Sequence, residues 1–507
     1  MTLLIKGVRI VGGDRTYHEP ADLFVSGDKI SAIGKFPNKK ADEVLDGQGA
    51  YLAPGFIDVA TTSDRYLTLL TDPDQGDFLR QGVTTIVGGY DGLSLAPLVG
   101  GGLEPLDGWA SARGVNIDWR TVKEFLNHLD RRPLGVNFAT FVGHTTVRRA
   151  IIGEEPRELT ANERRVLQHV LGRGLREGAF GLSLDTLAFS RDQVSATELK
   201  PLIGCLKEHH GIYAPSVTGS GSELKGTLVE MSQLLKRSGV PAIVSYAPQL
   251  GEAGGGDYTE FITTLESLSF DSHIHFDLPP AAGSVLPLYR YLPEWAQVGS
   301  VAEMLERLDV SLTRNRILEE LPAVDPGRLT VIGAPHHDPL VGLTLHGIME
   351  LYRIRKPAEA LVKLMETTRL RAVTFLAGYE DAWDFRAAFR HPRSLVGSRG
   401  MSADPAAARR SLVRPEALDV FPRLLGLAAA GHLAPLGDVV HKFTREPARL
   451  FGFEKRGEVR ESYFADLVGF RGADIKFVVV NGRIAVKDGE LQGVRAGRPL
   501  RHRSARL

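Results

Sequence analysis

The stretch Pro54-Gly55-Phe56-Ile57-Asp58-Val59-Ala60-Thr61-Thr62-Ser63-Asp64 reads as a short apolar strand running into a polar turn. Side chains on a strand alternate between faces, so Asp58, Ala60 and Thr62 share one face. That face carries a carboxylate, a methyl group and a hydroxyl. A strand that ends on polar residues is the usual way a parallel sheet delivers side chains to a site at its C-terminal edge.

Downstream of it, short apolar segments alternate with amphipathic helical stretches, the pattern of βα units around a parallel sheet. The candidate strands are 55–60, 83–88, 136–142, 178–183, 211–217, 240–246, 272–277, 328–334 and 394–398. A (β/α)8 TIM-type barrel has eight places for these segments. The surplus strand, 328–334, is assigned to an insertion at the barrel mouth, about 280–340. Within it, 300–321 reads as a helix with apolar residues at 301, 304, 305, 308, 310 and 312. Before the barrel, 3–10, 22–25, 29–33 and 43–46 are strand-like; after it, 465–470 and 477–483 match them. The division expected is residues 1–53 and 446–507 as two parts of one small β-sandwich, with 54–445 as the barrel.

The chain has 507 residues, 43% hydrophobic and 24% charged, which suits a large globular fold with a satellite domain. Lys plus Arg equals Asp plus Glu at 61 each, so there is no net field to attract nucleic acid or an anionic membrane. The Arg-rich stretch 495–506 reads as a solvated tail. The single cysteine, Cys205, excludes an intramolecular disulfide and fits a reducing compartment, as a buried structural thiol. No leader or membrane-spanning run is evident, so a cytoplasmic protein with a small-molecule substrate is expected.

The opening stretch resembles the first barrel strand of the amidohydrolase superfamily, whose members carry His-x-His directly after a Gly-Phe-Ile-Asp-Val run. Further runs are similar to the D-aminoacylase (N-acyl-D-amino-acid deacylase) branch: Leu79-Arg80-Gln81-Gly82-Val83-Thr84-Thr85, Val142-Gly143-His144, Gly178-Ala179-Phe180-Gly181-Leu182-Ser183, residues 421–427 and Phe464-Ala465-Asp466-Leu467-Val468. They span nearly the whole chain in family order. The resemblance implies the barrel with its β-sandwich, and a zinc-dependent hydrolysis of N-acyl-D-amino acids.

At the functional positions this sequence departs from that pattern. The two first-strand histidines fall on Ala60 and Thr62, and neither offers a ligand zinc favours. The turn whose Cys ligates metal falls on Gly89-Tyr90-Asp91-Gly92, and a further histidine ligand on Tyr246. The catalytic Asp of Gly-Ser-Asp-Gly falls on Arg399 within Gly397-Ser398-Arg399-Gly400. A His-x-Arg pair falls on Ser216 and Thr218. The last histidine ligand has His273 and His275 as its candidates. A divalent ion about 4 Å from the Arg399 guanidinium would meet about 8 kcal/mol of repulsion at an effective dielectric near 20. No metal and no other cofactor is therefore expected.

The remaining polar groups define the expected site. Asp91, His144 and Tyr246 are the candidates for acid/base catalysis, and Arg399, Ser216 and Asp185 for substrate binding. Each has a structural alternative: Asp91 and Arg399 as an internal ion pair, His144 as a hydrogen-bonded core histidine, Tyr246 as an aromatic plug, Asp185 as a solvated loop acid. Asp58 and Asp64 are expected to orient the mouth. No Gly-x-Ser-x-Gly elbow surrounds Ser183 or Ser216, which argues against serine hydrolase chemistry. Three functions stay open. The first is metal-independent isomerisation, cyclisation, elimination or condensation on a small carboxylate- or amide-bearing molecule. The others are a non-catalytic binding protein and a residual hydrolase with a nonstandard metal site.

Overall fold

The computed structural model describes residues 1–12, 19–99, 116–153, 157–185, 194–217, 221–246, 258–268, 273–278, 283–298, 301–334, 337–377, 383–402 and 419–503. Its centre is α/β. Phe56–Asp58, Val83–Gly88 and Asn137–Thr140 pair in parallel as one sheet. Val142–Gly143, Gly181–Asp185, Ile212–Val217, Ala242–Tyr246, Ile274–Leu278 and Ser394–Val396 pair in parallel, in that order, as another. Backbone hydrogen bonds cross both gaps between the two sheets: Phe180 N donates to Thr140 O at 2.9 Å, and Val59 N donates to Val396 O at 3.3 Å. Strand residues buried on both faces, such as those of Val83–Gly88, explain the near-continuous apolar runs of the sequence.

Helices lie between these strands, and local chemistry sets where they start. Thr160 and Glu163 form a reciprocal capping box at the head of Ala161–Glu177, as Thr121 and Glu124 do for Val122–Arg131. Such a box supplies two of the hydrogen bonds a helix N-terminus otherwise lacks. Cys205 is buried within Ala196–Glu208, where burial pushes its thiol up to about 11. No helix among the described residues is long and apolar enough to cross a membrane.

Leu329–Gly333 pairs antiparallel with Val373–Ala377, which also pairs antiparallel with Gly283–Pro287. This inserted unit thus runs to Ala377, beyond the 280–340 expected, and has its own core of Leu288, Tyr291, Leu308, Ile317, Leu361 and Met365. The single helix expected over 300–321 is two, Val301–Asp309 and Ser311–Glu320, with Val310 extended between them. The second helix therefore starts on a new phase, and Val310 and Leu312 face solvent instead of the core.

Strands from both ends of the chain share one nine-stranded sheet. Thr2–Ile10 is its hinge, antiparallel to Ala21–Ser26 and parallel to Tyr51–Pro54, which in turn pairs with Leu467–Arg471. Leu3, Leu23, Leu467, Phe477 and Val479 share one apolar cluster between these strands. A buried polar network fastens this sheet to the parallel strands. Asp466 accepts from Asn481 N at 2.7 Å and from Asn137 Nδ2 at 3.1 Å, and pairs with Arg456. Arg456 also donates to Asn481 Oδ1 at 2.9 Å, and Asn481 Nδ2 donates to Asn137 Oδ1 at 2.8 Å.

Candidate functional site

The C-terminal ends of the parallel strands carry a row of polar side chains. Asp185, Ser216, Ser245 and Asp277 stand in one register across four adjacent strands. Paired residues of parallel strands point to the same side, so the row faces one way. Two turns bring partners over it. Gly88-Gly89-Tyr90-Asp91 is folded tightly: a Cβ on Gly88 would lie 2.8 Å from the Asp64 carboxylate, and Gly89 (φ +78°) has no room beside Phe141 O. Asp64 Oδ2 accepts from Gly89 N at 2.6 Å, and Asp58 Oδ1 accepts from Ser398 N at 2.9 Å and Ala60 N at 3.2 Å. These two buried acids thereby fix the turns that present Asp91 and Arg399. Both presented residues are left-handed, with φ 52° and 49°. That conformation costs about 1–2 kcal/mol for a residue with a side chain, and such strain concentrates where function holds a residue in place.

Asp91 and Arg399 meet at the centre. Arg399 Nη1 donates to Asp91 Oδ1 at 3.3 Å, and Arg399 Nη2 to Asp277 Oδ2 at 3.2 Å. Asp91 also accepts from Ser216 Oγ at 2.5 Å and from Arg65 Nη1 at 3.3 Å. The inserted unit reaches in from above: Arg65 Nη2 donates to Tyr289 Oη at 3.1 Å, and Arg290 Nη1 lies 3.7 Å from Asp185 Oδ2. Burial works to raise the Asp91 carboxyl, but Arg399 and then Arg65 outweigh it and hold it well below the usual range. Asp277 is the opposite case. Burial raises its carboxyl, against the opposing pull of Arg399 and the Ser245 hydroxyl.

Four of the six expected site residues are thus brought to one place: Asp91, Arg399, Ser216 and Asp185. His144 is turned elsewhere. It is fully buried, with Nε2 2.6 Å from Glu198 Oε1 at the head of Ala196–Glu208, and Arg148 Nε is 3.6 Å from the same oxygen. Tyr246 ends its strand opposite Val217, but its side chain lies outside the described residues, as does Thr218. Asp185 is buried beside Arg290, so the solvated-loop alternative does not describe it. His275 sits two residues before Asp277, one alternation deeper in the same strand; burial lowers its imidazole, and Glu446 opposes this. Arg65, Asp277, Tyr289 and Arg290 were not singled out by the sequence. Only Asp277 left a signal, because it continues the alternating face of His273 and His275.

Burial pushes the Asp58 carboxyl up to about 7, against the Ser398 and Ala60 hydrogen bonds. A raised carboxyl binds more protons folded than unfolded, so its contribution is largest at low pH and is lost as pH rises from about 4 to about 7. Asp58→Asn lacks this loss. Its stability relative to the natural protein should climb by up to about 1.4 kcal/mol per pH unit across that window. Urea denaturation of both proteins at each end of the window measures it; parallel pH profiles would refute the assignment.

Among the described residues, the groups at these positions do not fit a zinc ion. Ala60 abuts Gly397, where a Cβ would lie 2.8 Å from its methyl. The Thr62 hydroxyl lies 3.2 Å from both Arg399 O and Gly400 O, to which it donates. A guanidinium stands between the two carboxylates. Among the described residues, no group of three or more His, Cys, Asp or Glu is arranged to hold a metal ion.

No protein-family model matches the chain. D-aminoacylase of Alcaligenes xylosoxydans xylosoxydans is 28% identical over 526 residues, covering 99% of this chain and 98% of the relative. The crystal structure of a D-aminoacylase, described as defining a novel subset of amidohydrolases, superposes with TM-score 0.77 at 27% identity, over 98% of this chain and 99% of that one. N-acyl-D-glutamate deacylase from Bordetella bronchiseptica, solved with zinc and a phosphonate mimic of the tetrahedral intermediate, gives TM-score 0.77 at 25% identity over the same shares. Several of the homologues and structural neighbours are thus D-aminoacylases or N-acyl-D-amino-acid deacylases of the amidohydrolase superfamily, and the chain is similar to them over nearly its whole length.

Proposed function

We propose that the chain is an enzyme acting by acid/base chemistry, without a metal-activated water, on a small molecule that carries a carboxylate or an amide. Its scaffold would be the (β/α)8 barrel, with the terminal strands as a β-sandwich satellite and the inserted unit over the mouth. One observation carries the reading: Arg399 lies between Asp91 and Asp277, at the position to which the resemblance assigns the family's catalytic Asp. A cation that cannot dissociate supplies the positive charge there, and its planar fork suits a carboxylate. Hydrolysis by the family route needs a hydroxide generated on a metal, and these side chains offer it no ligand set. Isomerisation, cyclisation, elimination and condensation remain within reach of carboxylates and guanidinium groups.

The tie between His144 and Glu198 favours a second reading, a binding protein without catalysis, because it holds the one histidine of the expected site away from Asp91. Both readings predict the same outcome with N-acetyl-D-amino acids. Incubation with and without added zinc should release no free amino acid above background, and elemental analysis after dialysis should find well under one equivalent of zinc per chain. Chelator-sensitive release of amino acid would overturn both and restore a hydrolase with a nonstandard metal site. Turnover of a carboxylate- or amide-bearing compound to an isomeric, cyclised or dehydrated product, lost in Asp91→Asn, would decide for the enzyme.

A further inference from the structure

The two carboxylates that hold Arg399 are not equivalent, and the difference bears on how a ligand could enter. Asp91 lies nearer the mouth, with a side chain 16% exposed, and keeps Arg65 and Ser216 as partners whatever Arg399 does. Asp277 lies beneath, with a side chain 1% exposed, and Arg399 is its one ion-pair partner among the described residues. The other groups facing Asp277 add no positive charge. They are Asp58 from the first parallel strand, Tyr90 and Asp91 from the turn after the second, and the Ser245 hydroxyl from the neighbouring strand. Any carboxylate that engages the Arg399 fork must compete with one of these two acids. Losing Asp91 from Arg399 would leave an ion pair with Arg65 intact. Losing Asp277 would leave a buried charge with no counter-ion, and a carboxyl in that position neutralises instead.

We propose that Asp277 is the positioning residue of this site: a ligand carboxylate takes its place on Arg399, and Asp277 accepts a proton as it is released, so that binding of an anionic ligand is coupled to proton uptake. The inference rests on the reading of the site as a small-molecule site and names its ligand class as anionic. Charge balances at each stage. The ligand brings one negative charge, Asp277 loses one on protonation, and Arg399 remains paired on both sides. The direction of the Asp277 carboxyl agrees with this: burial already raises it, and Arg399 is the largest influence holding it down. Asp91, held low by its two arginines, stays ionised throughout and keeps its pairing with Arg399.

The test is calorimetric titration of the full chain with N-acetyl-D-leucine and with its neutral carboxamide, at neutral pH, in buffers of different ionisation enthalpy. The carboxylate should bind with net uptake of close to one proton and the carboxamide with none. Asp277→Asn should retain carboxylate binding while losing proton uptake, whereas a purely structural role would leave the uptake unchanged. Arg399→Met should weaken carboxylate binding about tenfold or more. If Asp277→Asn does not fold, the natural protein still decides the matter: affinity for the carboxylate should fall up to about tenfold per pH unit above neutrality. Carboxylate binding that is lost in Arg399→Met yet independent of pH and free of proton uptake would sink the role of Asp277 and leave the small-molecule reading standing. Failure of the natural protein to bind the carboxylate would overturn both.

Discussion

Arg399→Met should lower folding stability by about 3–5 kcal/mol at neutral pH, the usual cost of removing one partner of a buried ion pair. The effect comes less from the lost bonds than from what they leave behind. Asp277 would be left fully buried without a cation and would have to bear an uncompensated charge or take up a proton, while Asp91 would still have Arg65. Two features separate this account from simple loss of packing. The penalty should shrink as pH falls, because Asp277 can then take a proton, and adding Asp277→Asn should recover most of it. Arg399→Lys should not restore the natural behaviour, since an ammonium cannot present two coplanar donors to acids on opposite sides. Chemical denaturation of the single and double variants across pH gives the answer. A stability loss in Arg399→Met that neither acid nor Asp277→Asn reduces would show that the charge network is not what the guanidinium supports.

The second large effect is expected far from the mouth. Asp466→Ala should destabilise the protein by about 3–5 kcal/mol, because Arg456 would be left buried without its carboxylate. The backbone amide of Asn481 and the side chain of Asn137 would lose their acceptor as well. Replacing Asp466 and Arg456 together by apolar residues should cost clearly less than Asp466→Ala alone, which a double-mutant cycle in urea would measure. Equal losses for the single and the double variant would mean that the ion pair is not the origin of the effect.

Much of the fold was legible because parallel strands buried on both faces have a signature that survives wide sequence change. The runs at 83–88, 211–217 and 240–246 appear as strands within a residue or two. The resemblance supplied their order. Val373–Ala377 was not among the candidate strands, and its antiparallel partners lie about 40 and 90 residues earlier, a pairing that no local pattern encodes. At the site, Asp91, Arg399 and Ser216 drew notice because the resemblance places the family's metal-ligating Cys, its catalytic Asp and a substrate-holding His at those positions. Arg65, Tyr289 and Arg290 did not, because an arginine or tyrosine in a loop reads as solvated until another segment closes over it. For His144 the alternatives stayed open for a related reason: its partner Glu198 is 54 residues away on a different helix.

The network around Asn137 has a consequence for how the chain reaches its final shape. Asn137 lies on the third parallel strand, yet its polar groups are satisfied from residues 466, 481 and 498. The same strand is flanked by the far end of the chain, where Phe138 N donates to Arg498 O, Leu500 N to Phe138 O and Gly497 N to Leu134 O. A ribosome that has made only the parallel strands has therefore produced a sheet with one edge of its floor unsealed. Completion waits for the last forty or so residues to emerge, the kind of long-range closure that slows folding and prolongs exposure of apolar surface. A chain ending near residue 495 should stay in that half-closed condition and depend on chaperones, even though every residue around Arg399 would be present.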